Sequence, residues 1–433
     1  MIEKALLVYT VMKKPERKTP DAGPDTSFSA EEVKQEFIRL VESAGCEVVE
    51  VIEAHLARLS AALYIGSGKA DEIAAAAAEK SAEVVVFSQP LSPAQQRNLE
   101  DIVGKRVIDR IQLILDIFAK HAHSSEGQLQ VELAQLRYLL PRLKGKGVML
   151  SRLGGGIGTR GPGEKKLEIE RRRITDRVTM LERELKNMDV HRDTMRKKKV
   201  FSGIPTVSLI GYTSVGKSTL MNAVTAAQQV VAGTYFTTLD TISRVLEFRS
   251  GHKAVMTDTV GFMHDLPPYL IEAFKTTLRE LQFASLLLHV VDASSRFAFA
   301  QIKAVHAILK ELDVLDKPQL MVFNKIDLCE EKDALERLQQ EYPDGMFVSA
   351  LNNTHLDVLL LRVENMVFPR QIQAVITLQQ KDASFFHHIH AYAKVENIDY
   401  QKDSVNFSVV VEDVPFEKLK KVLDKKCSIR IIR

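Results

Sequence analysis

The sequence predicts an α/β protein, on the strength of three stretches. Gly211-Tyr-Thr-Ser-Val-Gly-Lys-Ser218 has the spacing G-x-x-x-x-G-K-S, with a strand-like run before it (Pro205 to Ile210) and a helix-like run after it (Thr219 to Thr225). Residues 1–110 alternate strand-like and helix-like patterns, which is how a parallel sheet covered by helices reads. Residues 370–433 repeat strand and helix patterns on a smaller scale, as a small α+β module does.

The chain has 433 residues, enough for roughly two to four domains. Hydrophobic residues at 45% and charged ones at 27% are ordinary for a globular protein with a sizeable core. No apolar run approaches the ~18 residues of a membrane helix, and the start at Met1 lacks a signal-peptide layout, so no membrane insertion is expected. Cys46, Cys329 and Cys427 are scattered and show no C-x-x-C spacing. They read as free thiols in a reducing cytoplasm, not as disulfides or a zinc site. A net charge of +3 excludes little; its distribution is more informative.

In order, Ala5–Val11 reads as a strand, Ala30–Ala44 as a helix, Cys46–Ile52 as a strand and Ala70–Lys80 as a helix. Glu83–Phe87 is a strand, Ser92 caps a helix to Val103, and Arg106–Asp109 is a last strand of the first domain, 1–110. Gly66-Ser-Gly-Lys69 looks like half a phosphate loop, but Leu63 stands where the first glycine belongs and Ala70 replaces the Ser/Thr. A turn before a helix is the better reading. From Ile111 to Leu143 the pattern is continuously helical, ending at Pro141. A glycine-dense loop follows, Gly154 to Gly163. A long helix from Glu164 to about Met195 comes next, with a stripe at Ile169, Ile174, Val178, Leu181 and Leu185. Residues 111–199 thus read as a helical hairpin. Its tip is basic around Arg160, Lys165 and Lys166, a plausible probe for a phosphate-rich surface such as RNA. The alternative is a solvated charged helix pair, because Glu168, Glu170 and Asp176 interleave the bases.

Residues 200–369 carry the chemistry. In the loop Gly211, Tyr212, Thr213, Ser214, Val215, Gly216, Lys217 and Ser218, glycines let backbone N–H groups turn inward on phosphate oxygens. Lys217 would reach the β- and γ-phosphates, and the Ser218 hydroxyl would ligate Mg²⁺. Asp258, Thr259, Val260 and Gly261 follow a strand; the carboxylate can hold Mg²⁺ through a water, and the Gly261 N–H can approach a γ-phosphate. Phe236, Thr237, Thr238, Leu239 and Asp240 lie where a first switch loop belongs, with Thr238 the candidate second hydroxyl ligand of Mg²⁺. Asn324, Lys325, Ile326 and Asp327 close another strand. Asp327 can accept two hydrogen bonds from guanine that adenine cannot donate, and Lys325 can lie along the base. Ser349 and Ala350 would supply backbone contact to the guanine oxygen. The phosphate loop, Asp258–Gly261, Asn324–Asp327 and Ser349–Ala350, in this order and each at a strand end, predict a domain that binds and hydrolyses GTP, with Lys217, Thr238 and Gly261 acting on the γ-phosphate. Phe262 stands where many GTPases have a water-orienting Gln, so hydrolysis is expected to be slow until a partner reorders the site.

Other stretches extend the reading beyond the nucleotide domain: Leu129-Gln-Val-Glu-Leu-Ala-Gln-Leu-Arg-Tyr-Leu-Leu-Pro-Arg142, Gly154 to Glu164, Ser92 to Leu99, Asp109 to Phe118, and Asp258-Thr-Val-Gly-Phe262. Over nearly its full length the chain resembles the HflX family of ribosome-associated GTPases. The resemblance implies an N-terminal α/β domain with a helical hairpin, a Ras-like P-loop domain, and a small α+β C-terminal domain. It also implies a cytoplasmic, monomeric factor using GTP and Mg²⁺. Such a factor binds the 50S ribosomal subunit and its rRNA through the hairpin tip and dissociates stalled or idle 70S ribosomes, with hydrolysis resetting it. The chain departs from the family pattern at Ser214-Val215, where Asn-Ala is usual and bears on potassium dependence; at Thr241, often Pro; and at Lys165-Lys166, usually Thr-Gln. A second reading is an RNA-remodelling module using another nucleotide in the N-terminal domain.

Overall fold

The computed structural model describes residues 2–12, 29–143, 162–201, 204–225, 242–259, 261–262, 279–329, 332–369, 371–379, 385–401, 404–412, 416, 419–420, 422–423 and 427–432. Arg160, Phe236, Thr237, Thr238, Leu239, Asp240 and Val260 lie outside these residues. The chain divides into two compact units, Met1–Leu356 and Asp357–Arg433.

The first unit opens with β1 (Glu3–Met12), α1 (Ala30–Ser43), β2 (Cys46–Leu56), α2 (Ser67–Glu79), β3 (Val84–Phe87), α3 (Pro93–Val103) and β4 (Arg106–Asp109). The strands form an all-parallel sheet in the order β2-β1-β3-β4. Ala5–Val8 and all of β3 are fully buried, because helices cover both faces and the middle strands have no solvent side. Local chemistry sets the helix ends: Ser92 and Gln95 form a reciprocal capping box on α3, and Gly104 ends it in the left-handed conformation.

The predicted continuous helix over 111–143 is in fact broken. It consists of α4 (Arg110–His121), α5 (Ser125–Leu139) and a tight turn at Leu140–Leu143. Ala122 is extended, and the Ser124 side chain accepts the Gly127 N–H, so the polar gap between the apolar stripes is a real chain reversal with its own N-cap. α5 packs on α6 (Pro162–Phe201), a helix of 40 residues. On α6, Leu181 is buried, but Ile169 is 53% exposed, so the predicted stripe does not reach that far toward the N-terminus.

The hairpin is rooted by a polar hub. The buried Asp109 carboxylate accepts the Leu91 N–H at 3.0 Å, the Gln112 N–H at 2.9 Å, the Tyr138 hydroxyl at 2.8 Å and Arg142 Nη2 at 3.2 Å. The Arg142 guanidinium lies 3.4 Å over the Tyr138 ring, donates to Gln96 Oε1 at 2.9 Å and to the Leu91 carbonyl at 2.8 Å. Six residues from three separate sequence stretches, 91–96, 109–112 and 138–142, thus pair one buried carboxylate with one cation, and they set where the chain leaves the first domain for the hairpin tip.

β5 (Thr206–Gly211), α7 (Lys217–Val224), β6 (Ile242–Glu247), β7 (Lys253–Asp258), β8 (Leu286–Asp292), α8 (Ala298–Glu311), β9 (Gln319–Asn324), α9 (Lys332–Glu341) and β10 (Met346–Phe347) follow. They build a six-stranded sheet in the order β10-β9-β8-β5-β7-β6, parallel except for the β6–β7 pair. β5 is central, with β7 on one side and β8 on the other, so its carboxyl end opens at the switch point where ligands bind in such sheets.

The second unit contains most of α10 (Leu356–Val367), then β11 (Gln371–Gln379), α11 (Phe386–Tyr392), β12 (Lys394–Tyr400), β13 (Ser404–Glu412) and β14 (Cys427–Ile431). Its antiparallel sheet runs β12-β13-β11-β14, the strand order of a split βαβ fold. Ile376, Leu378, Ile389, Phe407, Phe416 and Leu419 form its core. Among the described residues no helix is long and apolar enough to cross a membrane.

Candidate functional site

The chain turns sharply at Gly211 because nothing larger fits: its φ is +148°, and a Cβ there would collide with the Val290 carbonyl. At Gly216 (φ +93°) a Cβ would run into the Asn324 side-chain amide. Ser214 takes the left-handed conformation without being a glycine, at φ 60°. Lys217 opens α7 and is 7% exposed; its ammonium donates to the Tyr212 carbonyl at 2.7 Å and the Gly211 carbonyl at 3.1 Å. Burial pulls its pKa down to about 8, against the Asp258 charge, which opposes the shift. A lysine desolvated among backbone carbonyls is a cation prepared to meet a multivalent anion.

Asp258 ends β7 and is fully buried; the Ser218 hydroxyl donates to its Oδ2 at 2.6 Å. Thr259 faces inward and donates to the Leu209 carbonyl at 2.7 Å. Gly261 sits in a cradle that a side chain would fill: a Cβ would stand 2.9 Å from the Thr213 Cα and 3.0 Å from Lys217 Nζ. Phe262 is buried and stitched to the loop by two backbone bonds, Thr213 N–H to its carbonyl at 2.7 Å and its own N–H to the Gly211 carbonyl at 3.1 Å.

On the other side of β5, Asn324 ends β9. Its amide donates to the Val215 carbonyl at 2.9 Å, and its Oδ1 accepts the Ala350 N–H at 2.9 Å, which ties the glycine loop to Ser349–Ala350. The Ala350 N–H is therefore already engaged. Lys325 is left-handed at φ 64°, and Asp327 lies exposed in the turn Ile326–Leu328. The structure thus brings Gly211–Ser218, Asp258, Gly261, Asn324, Lys325, Ser349 and Ala350 to one edge of one sheet, at the carboxyl ends of β5, β7, β9 and β10.

Two residues at this edge escape motif reading. Asp292, at the end of β8, pairs with Lys325 at 2.6 Å and accepts the Ser294 hydroxyl at 2.6 Å. The signal for Asp292 was a carboxylate closing a strand run that is apolar apart from His289, the strand-end position that Asp258 also takes. His289, beneath the loop on β8, is buried beside His306. Burial, then His306 and Lys217, hold its pKa down at about 3, so it is neutral.

Family profiles match along the chain: "GTP-binding GTPase N-terminal" at residues 31–119, "GTP-binding GTPase Middle Region" at 121–199 and "50S ribosome-binding GTPase" at 206–325. The GTPase HflX of Caldanaerobacter subterraneus subsp. tengcongensis is 41% identical over 381 residues, covering 88% of each chain. The GTPase HflX of Escherichia coli K12 is 39% identical over 387 residues, 89% of this chain and 91% of its own. A crystal structure of the SsGBP–GDP complex is 25% identical with a TM-score of 0.48, over 84% of this chain and 98% of that one.

Proposed function

The chain belongs to the HflX family of GTPases, and from that premise we propose that it binds the 50S ribosomal subunit and dissociates stalled or idle 70S ribosomes. Hydrolysis of GTP resets it. It works as a monomer in the cytoplasm, and its parts are the α/β domain 1–110, the hairpin 111–199, the G domain 200–369 and the C-terminal domain 370–433. The single observation that carries the catalytic half is Lys217, buried at the switch point with Ser218, Asp258 and Gly261 around it.

The loop N–H groups from Ser214 to Ser218 cradle the α- and β-phosphates, and Lys217 exchanges its carbonyl partners for β- and γ-phosphate oxygens. Ser218 and Asp258 are hard oxygen donors 2.6 Å apart, a set suited to Mg²⁺; Ser218 and Thr238 would ligate it and Asp258 would hold it through a water. The bound ion supplies charge neutralisation to the phosphates. The Gly261 N–H faces the γ-phosphate. Asp327 selects guanine, Lys325 lies along the base, and the guanine carbonyl shares the Ala350 N–H with Asn324. Phe262 offers no group to orient the attacking water, so hydrolysis waits for a partner to complete the site. The basic tip at Arg160, Lys165 and Lys166 reaches that partner's rRNA.

Sucrose-gradient sedimentation of 70S ribosomes with the protein and a non-hydrolysable GTP analogue tests this. Separate 30S and 50S peaks are expected, together with faster GTP turnover when ribosomes are present. Comigration with 50S particles and intact 70S would reduce the role to binding, and equal turnover with and without ribosomes would remove the partner-completed site.

A further inference from the structure

We propose that Tyr212 is a positioning residue that ties the phosphate loop to α1 of the N-terminal domain, so that nucleotide and N-terminal domain each report on the other. The tyrosine is the second residue of the loop, and its backbone is engaged there: its carbonyl accepts Lys217 Nζ at 2.7 Å, and its neighbours Gly211 and Thr213 bond to Phe262. Its side chain leaves the G domain. The hydroxyl donates to Glu36 Oε2 at 2.5 Å, and Glu36 Oε1 accepts Arg110 Nη2 at 3.0 Å. All three side chains are buried. A hydroxyl on a buried carboxylate is among the strongest neutral-to-charged hydrogen bonds, and Arg110 holds the other oxygen of the same carboxylate. One unbroken line therefore runs from α4 through α1 to the carbonyl that holds Lys217.

Around this point of contact the two domains fit loosely. A cavity of about 530 Å³ lies between α1 and the loop and runs into the nucleotide site, with Glu32, Thr213 and Gln301 lining it together with Ser214, Val215 and Lys325. Among the described residues Glu32 Oε2, Thr213 Oγ1 and Gln301 Oε1 are buried without a hydrogen-bond partner. Burial and the Glu36 charge push the Glu32 carboxyl up to about 7. A firm tether beside unsatisfied polar walls is the mark of a joint with more than one arrangement rather than of a finished interface. When Lys217 turns to phosphate, the Tyr212 carbonyl loses its partner, and the change passes through the ring to Glu36 and α1. Coupling of this kind acts equally in both directions.

The inference rests on the loop being the guanine-nucleotide site, and the two can fail separately. GDP titration of the full-length protein comes first; no binding would sink the site itself. With binding in hand, hydrogen exchange of the α1 amides is measured with and without GDP. Slowed exchange is expected in the wild type. Tyr212→Phe, which removes one oxygen and keeps the ring, should abolish that response and raise KM for GTP about fivefold, with a smaller change in kcat. Glu36→Gln, which keeps shape and weakens the acceptor, should move KM the same way. If α1 ignores GDP in the wild type, or responds equally in Tyr212→Phe, the tether is refuted.

Discussion

Two turns in this protein place glycine and lysine at the head of a helix over a parallel sheet, and they use them differently. At Gly66-Ser-Gly-Lys69 the backbone is ordinary: Gly66 is extended at φ −73°, and a Cβ on Gly66 or Gly68 would meet nothing within 4 Å. Lys69 points outward to Glu72 at 2.8 Å. At Gly211–Lys217 two glycines are left-handed or strained, a Cβ on either would strike protein, and the lysine is buried among carbonyls. Glycine at the first turn is punctuation; at the second it is clearance for groups that pass within contact distance. A phosphate cradle is defined by that crowding and by a desolvated cation, not by its letters.

The sharpest way to break this contrast is to remove each lysine. Lys217→Ala should weaken GDP binding about 100-fold or more, because a buried charged donor is lost, whereas Lys69→Ala should change it less than about twofold. Fluorescent-GDP titration reads both; similar losses would mean that the N-terminal turn also serves nucleotide. The glycines come next. Gly216→Ala must displace Asn324 at a left-handed position and should lower stability by about 1–3 kcal/mol, while Gly68→Ala inside α2 should raise it by up to about 1 kcal/mol. Thermal melts decide the signs.

The smallest effect is a pH dependence peculiar to the buried lysine. Its pKa is lowered to about 8, so the unfolded chain binds more protons than the folded one between about 8 and the ordinary lysine value of 10.5. Stability attributable to Lys217 therefore rises with pH through that window. Nucleotide affinity moves oppositely: it holds below about 8 and falls by up to about tenfold per pH unit above it, because phosphate needs the charged form. Calorimetry of GDP binding at pH 9 in two buffers of different ionisation enthalpy should show proton uptake. Its absence would place the charged form of Lys217 well above pH 9.

Much of the fold could be read from local pattern. The alternating elements of residues 1–110 and the strand ends at Asp258 and Asn324 depend on runs of apolar residues and on caps that act over three or four positions. What escaped reading depends on partners far along the chain. β6 is an edge strand with alternating burial and little apolar signal; its antiparallel pairing with β7 makes it visible. The break at Ala122–Ser124 is a cap hidden in a helical composition. Asp109, Tyr138 and Arg142 stood out by family resemblance alone; their physical reason, a shared buried charge, appears once 29 to 33 residues of chain are folded back.

By itself, the sequence determined the order of the nucleotide-binding segments, because each is a short motif at a strand end whose geometry its own neighbours dictate. Tertiary structure alone decided the rest: that Gly216 must be bare where Asn324 crosses it, that Lys217 is desolvated, and that Tyr212 finds Glu36 across 176 residues of chain. Burial and hydrogen bonding between distant segments depend on how sheets and helices pack, and packing has no local signature.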